Sequence, residues 1–198
     1  MPHHHLSKDK KLKPIIKTHG VIKLKKKKDI FMALCSSIMS QQLSVKVAAV
    51  IEKRFLSLFG NGSPTPQLLL QIPHETLRSI GLSNAKAQYV KNVAQFDIEH
   101  GLNFKKLHAM PETELIAYLT RIKGVGKWTA EMIMMFALAK EDVFSTGDLG
   151  LQNAVKKIYG IKFRNKKQLE KKMIALAEQW KPYRTYACLY LWRHNDGK

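Results

Sequence analysis

The sequence predicts an all-α fold. Apolar residues recur at a helical period from Ile30 to the C-terminal end, no convincing strand pair occurs, and Gly and Pro punctuate the chain where one helix must hand over to the next. No internal repeat is present. About ten short helices are expected.

Taken in order, residues 8–28 hold ten lysines and few apolar anchors: Leu12, Ile15, Ile16, Val21, Ile22 and Leu24. They are read as a basic N-terminal segment, 1–28, ahead of a helical unit of two lobes, 29–198. The alternation Ile22-Lys23-Leu24-Lys25 suits a short extended stretch, but nothing near it supplies a sheet. Phe31, Leu34, Cys35 and Ile38 then fall on one helical stripe, and Val45, Ala48, Ala49, Ile51 and Phe55 continue the period in the next segment. Breaks fall at 60–64, Pro73, Gly81, Gly101 and Pro111. Further helices are expected at about 84–99, 111–121, 127–140, 149–159, 166–179 and 183–194. The interior of 127–140, AEMIMMFALA, is apolar nearly all round, so this helix should be buried on most sides. Met132, Met134 and Met135 read as core packing ahead of any ligand role.

The chain has 198 residues and 22.7 kDa, enough for one domain or two lobes sharing a core. Thirty-four Lys and Arg against fifteen Asp and Glu give a net charge of +19 and a pI near 10.0. A compact chain this basic repels itself, so it calls for a polyanion: nucleic acid first, an anionic membrane surface second. The lysine-rich N-terminal segment has too few apolar residues for an interfacial helix. No apolar run approaches the roughly 20 residues of a membrane span, and MPHHHLSKDKKLK lacks the apolar core of a secretory signal. His3 to His5 carry no functional weight. Cys35 and Cys188 are the only cysteines, which excludes a disulfide framework, a four-cysteine zinc site and an iron–sulfur cluster, and fits a reducing, cytoplasmic location. His74, His100, His108 and His194 show no metal-ligand spacing.

The most informative stretch is LTRIKGVGKWTAEM, residues 119–132. Gly124-Val125-Gly126 joins two helices, with Lys123 and Lys127 on either side. Glycines without Cβ atoms, at a helix N-terminus, let backbone amides approach a phosphate closely. An ordinary αα-hairpin turn is the competing account. Asp148, twenty-two residues beyond Gly126, precedes a helix and is a natural N-cap. It is also a carboxylate kept ionised by the helix dipole within a phosphate-binding chain, an arrangement suited to a positive charge that develops during a reaction. Both readings are open at this point.

The blocks IMSQQLSVKVAA (38–49), GLSNAKAQYVKNVA (81–94), IKGVGKWTAEM (122–132), DVFSTGDLGLQNA (142–154) and WKPYRTYACLYLW (180–192) together resemble the helix-hairpin-helix alkylpurine DNA glycosylases, the AlkA-like 3-methyladenine DNA glycosylase II group. The blocks run in the family's order from about residue 29 to residue 193. The resemblance implies a two-lobed all-α helix-hairpin-helix fold with the active site in the interlobe cleft, in the short form without an extra N-terminal β domain.

It implies residue roles as well. Asp148 falls on the family's catalytic aspartate. Gly124, Val125 and Gly126, with Lys123, Lys127 and Thr129, fall on the phosphate-gripping hairpin. The carbonyls of Thr120, Ile122 and Val125 fall where relatives hold a monovalent cation, so a structural Na+ or K+ is the one ion implied; no cofactor is required. Trp128 and Trp192 fall on base-pocket tryptophans, with Gln41 beside them. Met132 stands where the bacterial prototype has a pocket tyrosine, which leaves this pocket less aromatic. Leu43, with Gln42 as its rival, falls on the residue that wedges into the duplex. Strand-cutting relatives carry a nucleophilic lysine at the position of Trp128, so this chain resembles the monofunctional class.

The resulting expectation is an enzyme of base excision repair. It would flip out and hydrolyse alkylated purines such as 3-methyladenine and 7-methylguanine from double-stranded DNA, and it would be monomeric and free of any membrane. A noncatalytic helix-hairpin-helix DNA-binding protein is the alternative.

Overall fold

The computed structural model describes residues 1–60, 62–195 and 197, so Asn61 in the predicted 60–64 break lies outside the described residues. Thirteen α-helices and one 3-10 turn occur among the described residues, and no strand. In chain order they are α1 (Pro2–Leu6), α2 (Leu12–His19), α3 (Ile30–Ser40), α4 (Val45–Ser57), α5 (Pro66–Gln71), α6 (His74–Ser79), α7 (Asn84–His100), α8 (Phe104–Ala109), α9 (Glu112–Leu119), α10 (Lys127–Phe136), α11 (Leu149–Tyr159), α12 (Lys166–Ala177), the 3-10 turn (Glu178–Trp180) and α13 (Arg184–Asn195). None of the described helices is long and apolar enough to cross a membrane.

The chain divides into two compact units, Lys26–Leu138 and Met1–Lys25 with Ala139–Lys198. The 26–138 unit is organised around α3, which packs against α4, α7 and α10. Asp29 caps α3 by accepting from the Met32 amide at 2.8 Å, and Ile30, Phe31, Leu34, Cys35, Ile38 and Met39 are buried. Burial pushes the Cys35 thiol up from its ordinary pKa, so it behaves as a small apolar group. α5 lies along α7, the longest helix. Three helices of this unit escaped the periodicity reading: α5, α6 and α8. Each has six residues, less than two turns, too short for a 3.6-residue period to register.

α10 is shorter than the expected 127–140. Its end is set where the amides of Ala137 and Leu138 both turn back to the Ile133 carbonyl, at 3.0 and 2.9 Å. Residues Thr129 to Met135 are buried, in keeping with its apolar sequence, but Phe136 is exposed.

In the other unit, α13 packs against α1, α2 and α11. The basic segment 1–28 is therefore not a separate piece, since residues 1–25 belong to the same unit as 139–198. Leu6, Leu12, Ile15 and Ile16 are fully or nearly buried, while the lysines between them point outward. The anchor is Asp9. Its carboxylate accepts from the amides of Lys11 and Leu12 (2.8 and 3.3 Å), the Tyr159 hydroxyl (2.8 Å) and the indole N–H of the fully buried Trp180 (2.9 Å). Burial, reinforced by that carboxylate, raises the Tyr159 hydroxyl well above its ordinary pKa. Residues 20–28 are irregular, and Tyr190 holds the start of the segment by donating to the Gly20 carbonyl at 2.9 Å.

Truncating Asp9 would strand the buried Trp180 indole N–H and the half-buried Tyr159 hydroxyl and free the amides of Lys11 and Leu12. Asp9→Ala should lower stability by about 2–4 kcal/mol, and Tyr159→Phe by about 1 kcal/mol. Urea unfolding midpoints compared with the unsubstituted protein check both values.

Candidate functional site

The hairpin of the 26–138 unit is built from the end of α9, the turn 120–126 and the start of α10. Gly124 has φ +105°, and a Cβ on it would stand 2.3 Å from Cγ of Tyr89 on α7. Only glycine fits a turn pressed this closely onto a ring. Asn92, one helical turn further along α7, donates to the Lys123 carbonyl at 3.0 Å. Inside the turn, the Val125 amide donates to the Ile122 carbonyl at 2.9 Å and the Val125 side chain is buried. The Val125 amide is thus spent internally. The outward amides belong to Gly126, the N-cap of α10, and to Lys127, among the first-turn donors a helix cannot itself satisfy. Gly126 has φ −92°, and a Cβ there would meet nothing within 4 Å. The fold would therefore accept a Cβ at Gly126, so the two glycines are not equivalent.

Thr129 corrects the expected DNA-contacting set. It is 2% exposed, and its hydroxyl accepts from the Gln41 amide group at 3.2 Å, so it is an internal strut. Gln41 also reaches the Gly124 carbonyl, at 3.5 Å. The turn between α3 and α4 is held from below by Lys86 on α7, whose ammonium donates to the carbonyls of Met39 (2.9 Å) and Gln41 (2.7 Å). Partial burial pulls the Lys86 pKa below its ordinary value. Gln42 at the apex has φ +58°, a left-handed conformation unusual for a side-chain-bearing residue, and the exposed Leu43 follows it. Lys86, Tyr89 and Asn92 carry this architecture, and sequence reasoning did not single them out. Their spacing of three along α7 was visible, but nothing local marks what lies above them.

Two of the predicted pocket residues come together. Trp128 and Met132, at i and i+4 on α10, line a cavity of about 400 Å3 with Phe136 on one side and Ser36, Ser37 and Ser40 of α3 on the other. Met134 and Met135 are fully buried core, and Met132, also buried, lines the cavity as well. Lys127, beside Trp128, is exposed and lies 3.8 Å from the Glu131 carboxylate. Among the described residues, no cluster of His, Cys, Asp or Glu could hold a metal ion.

Asp148 and Trp192 are brought together in the other unit. Asp148 is the N-cap of α11, and its Oδ1 accepts from the Leu151 amide at 2.6 Å and from the Trp192 indole N–H at 2.8 Å. Two donors and its place at a helix N-terminus fix the orientation of the carboxylate. A Cβ on Gly150 would crowd Asp148 Oδ1 at 3.3 Å and the Trp192 indole at 3.4 Å, so the small residue leaves room for this pair. Gln152 fixes the preceding loop by donating to the Thr146 carbonyl at 2.8 Å. Arg184 pairs with the Asp142 carboxylate through two nitrogens, at 2.7 and 3.1 Å. His74 pairs with Asn84 at 2.7 Å.

Comparison with known proteins places this geometry. Residues 35–182 match the family described as HhH-GPD superfamily base excision DNA repair protein. DNA-3-methyladenine glycosylase 1 of Schizosaccharomyces pombe is 34% identical over 171 residues, covering 84% of this chain and 73% of that one. The crystal structure of DNA-3-methyladenine glycosidase from Bacillus halodurans superposes with a TM-score of 0.82 at 39% identity, over 96% of this chain and 87% of that chain. The Schizosaccharomyces pombe 3-methyladenine DNA glycosylase in complex with abasic DNA superposes with a TM-score of 0.87 at 31% identity, over 98% and 96%.

The two hairpin glycines should separate cleanly on substitution. Gly124→Ala combines a left-handed φ with a clash against Tyr89 and should cost about 2–4 kcal/mol. Gly126→Ala should stay within about 0.5 kcal/mol of the parent. Thermal melts of the two variants side by side make the comparison.

Proposed function

The chain belongs to the HhH-GPD superfamily of base excision DNA repair proteins, and we propose that it is a monofunctional DNA glycosylase acting on alkylated purines of the 3-methyladenine and 7-methylguanine type. The observation that carries the reading is the Asp148 carboxylate, held by Leu151 and Trp192 at the start of α11. A protein of net charge +19 gains nothing for phosphate binding from a carboxylate fixed in this way.

The reaction follows from the charge on the substrate. A purine alkylated at N3 or N7 is cationic and already a good leaving group, so a strong general acid is unnecessary. As the bond from C1′ to the base nitrogen breaks, its electron pair stays with the base, which departs neutral, and positive charge appears on the sugar. Asp148 stabilises that oxocarbenium-like sugar and orients or deprotonates the water whose oxygen joins C1′. Trp192 acts on the same step by keeping the carboxylate in place. Reaching the bond requires the nucleotide to leave the stack. Leu43, lifted on the strained Gln42, is the apolar residue suited to filling the gap. The amides of Gly126 and Lys127, with Lys123, grip the backbone phosphates.

Trp128 occupies the position of the lyase lysine, and Lys127 is rotated about 100° from it around α10, with Glu131 beside it, which supports a route through water alone. The carbonyls of Thr120, Ile122 and Val125 are hard oxygen donors of the kind a Na+ or K+ ion takes. The Ile122 oxygen keeps a second lone pair beyond its bond to Val125. An ion held there would add positive charge beside the phosphates.

Incubation with methylated duplex DNA should release free 3-methyladenine and 7-methylguanine. Asp148→Asn keeps a competent cap, so its melting temperature should correspond to a loss of about 1 kcal/mol or less. Its single-turnover excision should fall on the order of 100-fold or more, with duplex affinity retained. Near-normal excision by a folded Asp148→Asn protein would reduce the residue to a cap. Borohydride present during turnover should trap no protein–DNA adduct; a trapped species would show a Schiff base and a lyase.

A further inference from the structure

The cavity of the 26–138 unit contains a group that the mechanism above does not use. Glu52, on α4, contributes a carboxylate to a lining otherwise made of Trp128, Met132, Phe136, small apolar residues and serine hydroxyls, with Lys27 as its only cationic residue. Ser36 Oγ donates to Glu52 Oε1 at 2.5 Å, which fixes the carboxylate across the space between α3 and α4. Among the described residues no ion pair joins Glu52 to Lys27 or to any other cation. About 400 Å3 lies within the range of small-ligand sites, and the indole of Trp128 supplies an aromatic face. An oriented carboxylate without a counter-ion, in a largely apolar cavity with an aromatic wall, suits a flat cation.

We propose that Glu52 is a specificity-determining residue that selects positively charged purines, by electrostatic attraction to the alkylated base in this cavity. The inference rests on the alkylpurine glycosylase reading and extends it to a residue outside the motifs that carry that reading.

The physics separates Glu52 from Asp148. During bond breaking the positive charge leaves the base and appears on the sugar. A carboxylate beside the base therefore favours the bound substrate, whereas one beside the sugar favours the transition state. Glu52 raises affinity for the cationic lesion without accelerating its departure. Its loss should appear in binding, while the loss of Asp148 appears in the rate.

Glu52→Gln keeps the size of the side chain and an acceptor for Ser36, and removes only the charge. In single-turnover titrations with a duplex carrying one 7-methylguanine, the enzyme concentration giving half-maximal rate should rise about tenfold or more. The maximal rate should be unchanged or higher, and affinity for undamaged duplex should not weaken. An unchanged half-saturation, or a fall in maximal rate with half-saturation intact, overturns the proposal. Tryptophan quenching of the unsubstituted protein by small purines gives an independent measurement that needs neither turnover nor a folded variant. The 3,9-dimethyladeninium cation should bind at least tenfold more tightly than neutral 9-methyladenine, and equal binding overturns the proposal. Absence of any base release by the unsubstituted protein would instead refute the glycosylase reading, leaving the quenching result to decide whether the cavity prefers cations.

Discussion

The contact between Gly124 and the ring of Tyr89 is the constraint on which the 26–138 unit depends. A backbone can rest on an aromatic ring at this distance only where no Cβ intervenes, so the contact fixes the identity of the residue, the left-handed φ and the height of the turn above α7. The same helix then reaches two further places. Asn92 holds the Lys123 carbonyl, and Lys86 holds the carbonyls of Met39 and Gln41. Gln41 closes the circuit by bonding Thr129 and Gly124. The hairpin and the 40–44 turn are thus braced against one rigid helix. Groups that must meet a duplex at defined separations gain from such bracing, because little conformational entropy is left to lose on binding.

Negative charge is scarce in this protein, and its placement is informative. Asp9 and Asp142 are occupied in holding the fold, the first by accepting from the Lys11 and Leu12 amides and from the Tyr159 and Trp180 donors, the second by pairing with Arg184. Asp148 and Glu52 differ from them. Each is oriented by a neighbouring donor that leaves the carboxylate's charge in place, Trp192 in one case and Ser36 in the other. In a chain of +19, carboxylates held in this way fit a substrate that brings its own positive charge. The chemistry of an alkylated purine supplies such a charge twice in succession, on the base before bond cleavage and on the sugar during it.

The basic N-terminal stretch shows how a charged sequence can still be structural. Its lysines suggest a solvated tail, yet Leu12, Ile15 and Ile16 recur at a helical spacing and bury one face of α2. Long cationic side chains on the opposite face stay in water, so the segment contributes to a core and to the positive surface together.

Much was legible in the sequence. The helical period, the Gly-Val-Gly turn, the capping aspartate and the excess of lysine are local or compositional properties, written in spacings of a few residues, and they sufficed for the all-α class and for the position of Asp148. Short helices such as α5, α6 and α8 were lost because six residues do not complete two turns of a period. The rest depended on residues distant in sequence. That Gly124, and not Gly126, must be glycine depends on Tyr89, thirty-five positions earlier. That Thr129 faces inward depends on Gln41, and that Glu52 stands in a cavity beside Trp128 depends on how α3, α4 and α10 pack. The sequence by itself determined which groups are available and which local conformations they prefer. Only the tertiary structure decided which of them meet, because side-chain burial and hydrogen bonding are set by contacts between helices that no local pattern encodes.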